Sequence, residues 1–230
     1  MSQNFYHDGS RRLQDAFDSR RLADRLESAR MHVTWSQSDR EIIAAAAFFF
    51  LATADADGRP DCSIKGGMPG FVTLTADDRL EFPDYDGNGM YRSLGNILVN
   101  PHVGLLFVEL TGERRKLRIN GRAQVIEDPA RVARHHAARL VVEVTAGHIF
   151  PNCPRYLPEL VDAERAASEK AVSEPAGRET AGILPSVYAP RPGYLPPEPL
   201  WKSKPDLKEV LPAARPPIGA HDGVDDPTRK

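Results

Sequence analysis

Cysteine is scarce: Cys62 and Cys153 are the only two among 230 residues. Two are too few for a disulfide scaffold, and their spacing fits no zinc pattern, so no metal site is expected. A reducing compartment is the simplest reading. An excess of one charge is also missing. Thirty Lys and Arg face 32 Asp and Glu, a formal net charge of −2, which provides no basic field for nucleic acid. No apolar run approaches a membrane span. The first residues, MSQNFYHDGSRRLQDAFDSRR, carry charges where a secretory signal needs an apolar centre. The expectation is a cytoplasmic protein without membrane or nucleic-acid partners. Internal repeats are absent too.

What is present is enough apolar residue for a core, 41%, on a length that suits one domain with extensions. Leu13, Phe17, Leu22 and Leu26 recur at helical spacings and predict an amphipathic helix that docks on the main body. Ser38 and Glu41 fit a capping box that opens a second helix. Phe48 to Thr53 reads as a buried strand, since aromatics favour the sheet. Asp55-Ala56-Asp57-Gly58 is a turn, and Arg59 to Lys65 returns as its hairpin partner. Phe71–Thr75 with Leu80–Phe82, then His102–Leu110 with Lys116–Glu127 around Thr111-Gly112-Glu113, make two further pairs. Asp128-Pro129 starts a helix as cap and first residue, and Val141 to Thr145 closes the series. Roughly six strands with short helices predict a mainly β fold, a small closed or partly closed antiparallel barrel. The expected division is an N-terminal helical extension at 1–43, the barrel at 44–160 and a proline-rich extended tail at 161–230, where Trp201 offers an anchor.

The stretch PDYDGNGMYRSLGNILVNPHVGLLF, from Pro83 to Phe107, carries the chemistry. The first amides of a helix lack intrahelical partners and carry the positive end of its dipole. Glycines ahead of it let the backbone approach a ligand, and an early arginine adds a fork of donors suited to phosphate. Gly87-Asn88-Gly89 followed by Arg92 and Ser93 supplies these parts. The plainer reading keeps Asp86 to Gly89 as a tight turn with Asn88 as helix cap. Neither a dinucleotide fingerprint nor an ATP-type phosphate loop is present.

In order, FFFLATADADGRPDCSIKGG, PGFVTL, LEFPDYDGNGMYRSLGNILVNPHVGLLF and RRKLRINGRAQVI resemble the pyridoxamine 5′-phosphate oxidase-like family of FMN-binding split barrels. The likeness runs from Ala44 to Glu127, with Phe150 to Tyr156 as a further piece. It is closer to a branch carrying KGGxPGF, PDYDGNGM and NCPRY than to the better-known oxidases. The resemblance implies a six-stranded antiparallel split β-barrel and FMN in a groove at a homodimer interface. It implies an FMN-dependent oxidoreductase working at flavin N5 on a small-molecule substrate. The alternatives are a deazaflavin-dependent reductase, or a flavin-binding or sensing protein without turnover. By the same resemblance Arg92 meets the phosphate, and Ser93 stands where better-known members often have lysine. Ser63 and Lys65 on the second strand join them, Lys65 making up for the missing charge. Pro83, Asp84 and Tyr85 lie along the flavin ring, with Asn88 and Met90 in the loop that follows. Lys116, Arg118 and Asn120 approach flavin from one subunit or the other.

Arg155 and Tyr156 are the substrate-binding candidates, although an ion pair that orders the loop is an equal reading of Arg155. Lys65 also reads as a solvated lysine beside a turn, and Lys116, Arg118 and Asn120 as a solvated outer face. Cys62, alternating with Ile64, is expected in the core and Cys153 in a structural role. His135 and His136 are expected in solvent, and His148 is a weaker candidate acid. No catalytic acid or base is named.

Overall fold

The computed structural model describes residues 5–85, 87–110, 113–160, 183–184, 197 and 200–211. Its contacts divide them into two units, 5–30 with 200–211, and 31–160 with 183–184 and 197. Most of the proline-rich tail, the side chain of Trp201, and the turn residues Thr111 and Gly112 lie outside the described residues.

The first unit is helical. The single predicted helix is two, α1 (Asp8–Ala16) and α2 (Arg20–Arg30). Asp18 breaks the run at φ 47°, a left-handed conformation that a short polar side chain tolerates. The Tyr6 hydroxyl donates to the Ala23 carbonyl at 3.2 Å, and Arg11 pairs with Asp24 at 2.5 Å. Arg25 Nε donates to the carbonyl of Asp206, at the short helix Pro205–Lys208, whose Leu207 is buried.

The second unit begins with a bridge between His32 and Ile149 and with α3 (Gln37–Ala45). The capping box forms two residues earlier than expected, at Ser36 and Asp39 instead of Ser38 and Glu41. Ser36 Oγ accepts from the Asp39 amide at 3.2 Å, while Asp39 Oδ2 accepts from the Ser36 amide at 2.8 Å. Both Ser-x-x-acid pairs suit a helix start; burial decides. Asp39 is 3% exposed and also pairs with His32 Nε2 at 2.6 Å, so its carboxylate is satisfied where it is buried.

Seven strands make the main sheet, one more than expected: β1 (Phe48–Ala54), β2 (Pro60–Gly66), β3 (Thr73–Ala76), β4 (Arg79–Asp84), β5 (His102–Val108), β6 (Lys116–Ile126) and β7 (Leu140–Asn152), while Glu159–Leu160 and Ile183–Leu184 pair as a separate two-stranded ladder. All pairings are antiparallel, in the order β2-β1-β5-β6-β7-β4-β3. β2 and β4 therefore stand near opposite ends of the list. Yet Lys65 Nζ on β2 lies 3.9 Å from Asp84 Oδ1 on β4, so the sheet curls until its two ends meet through side chains. That is a split barrel, mainly β with flanking helices. Helix α4 (Arg92–Val99) packs against β1 and β2 at this seam. Its Leu94 and Ile97 are buried, and Asn96 Nδ2 donates to Thr53 Oγ1 at 3.0 Å.

The core is aromatic. Phe49 on β1 meets Phe82 and Phe107 with ring centroids 5.0 Å apart, and Phe71 at 6.0 Å. Phe49, Phe82 and Phe107 are wholly buried, worth about 1.5–3 kcal/mol each by transfer alone. β7 extends far past Thr145 because its first half pairs with β4 while its whole length pairs with β6. A bulge between Asn120 and Gly121 lets β6 follow it.

The face that β2 turns inward differs from expectation. Ile64 is 62% exposed and Cys62 is exposed, while Asp61, Ser63 and Lys65 pair with Thr53, Leu51 and Phe49, the inward-facing residues of β1. The alternation of Cys62 with Ile64 is real, but it marks the outer face. At the seam the inner face borders a cleft, so it is the polar set that turns in.

A cleft at the seam of the barrel

A cleft of about 440 Å³ opens where β2, the end of β4 and the start of α4 converge. Strand β2 contributes Asp61, Ser63 and Lys65 from its inner face, with Cys62 and Ile64 at the rim. Strand β4 contributes Pro83 and Asp84, and the loop contributes Tyr85, Asn88 and Met90. Arg92, Ser93 and Leu94 come from the first turn of α4. Nine of the twelve residues expected at a cofactor thus share one wall: Ser63, Lys65, Pro83, Asp84, Tyr85, Asn88, Met90, Arg92 and Ser93.

The helix start is open. Its N-cap residue, Tyr91, sits at φ 49° and makes no side-chain cap bond. The expected cap, Asn88, closes its own loop instead, its Oδ1 accepting from the Met90 amide at 3.0 Å. The first residues of α4 thus line the cleft without a side-chain cap from Tyr91, and a helix start of this kind holds anions elsewhere. Ser93 is buried, its Oγ 3.0 Å from Ser63 Oγ and 3.3 Å from Asp61 Oδ2. Arg92 extends outward, 62% exposed, with Nε 3.4 Å from Asp61 Oδ1. The arginine's partner is therefore Asp61, while Asp84 pairs with Lys65. Burial pushes the Asp84 carboxyl above the usual aspartate range, with Lys65 and Arg139 pulling partly the other way. A carboxyl of this kind can hold a proton at the cleft. Asp61 went unmarked in the sequence. The signal that finds it is its alternation with Ser63 and Lys65 on one strand face.

Five other expected site residues lie elsewhere. Lys116, Arg118 and Asn120 line the outer face of β6, three strands from β2 in the sheet order. Arg118 stands in a cross-strand row that runs Ile64, Phe50, Leu106, Arg118, Phe150. Asn120 lies opposite His148. Arg155 and Tyr156 follow β7, where the Arg155 guanidinium donates to the Pro197 carbonyl and lies 5.6 Å from the Tyr156 ring centroid.

Behind β4 sits a second polar group. Glu81 and Glu143 are cross-strand partners, and Arg131 Nη2 bridges them at 2.6 and 2.7 Å. His135 Nε2 lies 3.1 Å from Glu81 Oε1, and Gln124 Nε2 donates to Glu143 Oε1 at 2.5 Å. His135, expected in solvent, has a side chain only 9% exposed. The short helix α5 (Pro129–Val132), capped by Asp128 as expected, folds both basic residues onto the sheet. Burial raises the Glu81 carboxyl, but the bonds from Arg131 and His135 outweigh it and hold it below the usual glutamate range.

No curated protein matches the chain. Among solved structures, HupZ from Group A Streptococcus is 22% identical over 51% of this chain and 93% of its own, with a TM-score of 0.41. General Stress Protein 26 from Bacillus anthracis is 16% identical over 50% of this chain and 91% of its own, at 0.36. HutZ, the heme storage protein from Vibrio cholerae, is 17% identical over 50% and 89%, at 0.34. The family model for pyridoxamine 5′-phosphate oxidase matches residues 36–168, more than half of the chain and the whole of the cleft. By that match the chain belongs to the pyridoxamine 5′-phosphate oxidase family.

Proposed function

We propose that the chain is an FMN-dependent oxidoreductase acting on a small molecule, and that it works as a homodimer. The observation that carries this reading is the convergence of an uncapped helix start, Arg92 and the inward face of β2 on one cleft, within the family domain. The residues fit the group. The volume lies within the usual range for ligand pockets of about 300–1,000 Å³, and amide donors and a guanidinium stand at one end. Exposed Tyr85 and Met90 offer apolar cover at the rim.

Arg92 and the first α4 amides bind the phosphate. Pro83 and Tyr85 position the ring, and Tyr85 and Met90 restrict water. Asp84, with its raised pKa and Lys65 alongside, holds or passes a proton at the cleft wall. The flavin, when bound, supplies the electron chemistry; the protein supplies binding, orientation and electrostatics. The homodimer is supported by the outer sheet face, where Ile64, Phe50 and Leu106 form an apolar row ending at Arg118.

The test is the chromophore of freshly purified protein, read by absorbance and identified by mass spectrometry. Flavin bands and about one FMN per subunit are expected. Stopped-flow reduction and reoxidation with candidate reductants then separates an enzyme from a carrier. A deazaflavin spectrum, a Soret band, or colourless protein that takes up no added FMN in calorimetry would overturn the cofactor.

A further inference from the structure

Resting on the flavin reading above, we infer that Asp61 is a positioning residue for the phosphate: it holds the Arg92 guanidinium at the cleft before the ligand arrives. The start of α4 does not fix itself. Its N-cap, Tyr91, makes no side-chain cap bond, and the side chain of the next residue, Arg92, is largely exposed. An exposed arginine without support samples many rotamers, and binding has to stop that motion. The support comes from the neighbouring strand. Asp61 Oδ1, on β2, lies 3.4 Å from Arg92 Nε. The carboxylate is itself held. Its Oδ2 accepts from Ser93 Oγ at 3.3 Å, and Ser93 is buried with its Oγ 3.0 Å from Ser63 Oγ.

This contact leaves the ligand's share of the arginine open. A guanidinium has five N–H donors in a planar fork, and Nε carries one of them. With Nε turned to Asp61, the two terminal nitrogens keep the other four, enough for the paired bonds that a phosphate takes. Asp61 can direct the arginine because the strand fixes it. It stands opposite Thr53 in the β1–β2 ladder, with its side chain 22% exposed. A short acid in a ladder has little freedom, whereas the arginine has much to lose, so the stiff partner sets the place of the mobile one. Two effects then compete. The Asp61 charge repels a phosphate, while an arginine ordered in advance lowers the cost of binding it. The repulsion is the weaker of the two. The carboxylate lies against a guanidinium and a hydroxyl donor, so the phosphate meets an ion pair, whose opposite charges largely cancel, and not a bare anion. Asp61 therefore works for the phosphate, through Arg92.

The experiment is a double-mutant cycle on the full chain, with FMN and riboflavin titrated by calorimetry into the natural protein, Asp61→Ala, Arg92→Ala and the double variant. Asp61→Ala is expected to bind FMN about three- to tenfold more weakly, the cost of ordering one long side chain, and riboflavin within about twofold of the natural chain. In the Arg92→Ala background the same substitution is expected to change FMN affinity by less than about twofold, because the residue it acts through is gone. Asp61→Asn keeps one acceptor oxygen in the same place. It is expected to fall between the natural chain and Asp61→Ala, and it carries the same cycle if Asp61→Ala does not fold. Unchanged or tighter FMN binding by Asp61→Ala overturns the inference. So does an equal loss of FMN and riboflavin, which marks a packing role, or a loss of FMN that persists without Arg92. In each of these cases flavins still bind and the proposed function stands. If no flavin binds to the natural chain, the proposed function fails and this inference fails with it.

Discussion

Arg131 sets one guanidinium nitrogen between two carboxylates that share a cross-strand pair, at 2.6 Å from Glu81 and 2.7 Å from Glu143. Like charges directly opposite on a sheet repel, so the pair depends on the arginine. Removing one partner of a buried pair leaves charge uncompensated, and Arg131→Ala is expected to cost about 3–5 kcal/mol in urea unfolding. The same cluster gives a pH signature. Glu81 has its folded pKa held below the ordinary value, so its stabilisation is complete above the unfolded pKa and disappears as pH falls through the folded one. The melting-temperature gap between the natural chain and Glu81→Gln should be widest near neutrality and narrow below about pH 4. A gap that stays constant with pH would assign the glutamate a packing role. Arg92 is a different case, 62% exposed and, among the described residues, paired with Asp61. If it binds phosphate, Arg92→Ala weakens FMN by about 1.5–3 kcal/mol, roughly tenfold to a hundredfold, while riboflavin barely changes. Equal losses for both ligands in titration would reduce Arg92 to a loop-ordering role.

At the scale of elements, the crossing of β6 and β7 rests on a missing side chain. A Cβ on Gly121 would stand 2.3 Å from the Thr145 carbonyl oxygen, a backbone atom that cannot move aside. Gly121→Ala is expected to destabilise by about 1–3 kcal/mol, as overpacking does. Gly95 in α4 is the control: nothing lies within 4 Å of its added carbon, so Gly95→Ala is expected to gain about 0.5–1 kcal/mol of helix stability. Denaturant midpoints for the two variants should move in opposite directions. These elements also show what was legible in the sequence. The turn Asp55–Gly58 was readable because it is local: Asp55 Oδ1 takes the amides of Asp57 and Arg59, and Gly58 supplies φ 81°. The Asp128 cap was readable for the same reason. The full length of β7 was not, because Gly147 and Pro151 read locally as breakers, whereas the ladder to β6 runs past both. The inward face of β2 was not, because alternation gives two faces but not which one meets the core. His135 was missed since its partner, Glu81, is 54 residues away. The cleft itself was largely legible, since Pro83 to Leu94 is one continuous stretch. Asp61 was hidden because its meaning depends on α4 folding back over β2.

For the whole molecule the question is what completes the cleft. The curled sheet places Asp61, Ser63 and Lys65 inside and Ile64 outside, at the same edge. Lys116, Arg118 and Asn120 lie on that outer face but three strands away, a separation of about 14 Å at the usual strand spacing. Within one subunit they do not reach the cleft. A twofold axis through the apolar row Ile64, Phe50, Leu106 would carry the partner's copy of this face onto the rim, since a symmetric pair buries the same patch on both sides. Under the proposed homodimer, assembly and flavin binding are then one event. Ile64→Glu tests this, because it places a charge on an exposed position of β2 and leaves the inward residues and α4 in place; since Ile64 stands at the cleft rim, riboflavin, which has no phosphate for the new charge to repel, is titrated beside FMN. Light scattering should show the natural chain at twice the subunit mass and the variant at the subunit mass. The variant's melting curve should remain cooperative, since Ile64 is absent from the buried core. Flavin affinity should fall together with assembly, by about tenfold or more, and should recover as protein concentration is raised far enough to restore the dimer. An Ile64→Glu monomer that binds FMN as tightly as the natural chain would mean that one subunit suffices, and Lys116, Arg118 and Asn120 would then be a solvated face and nothing more.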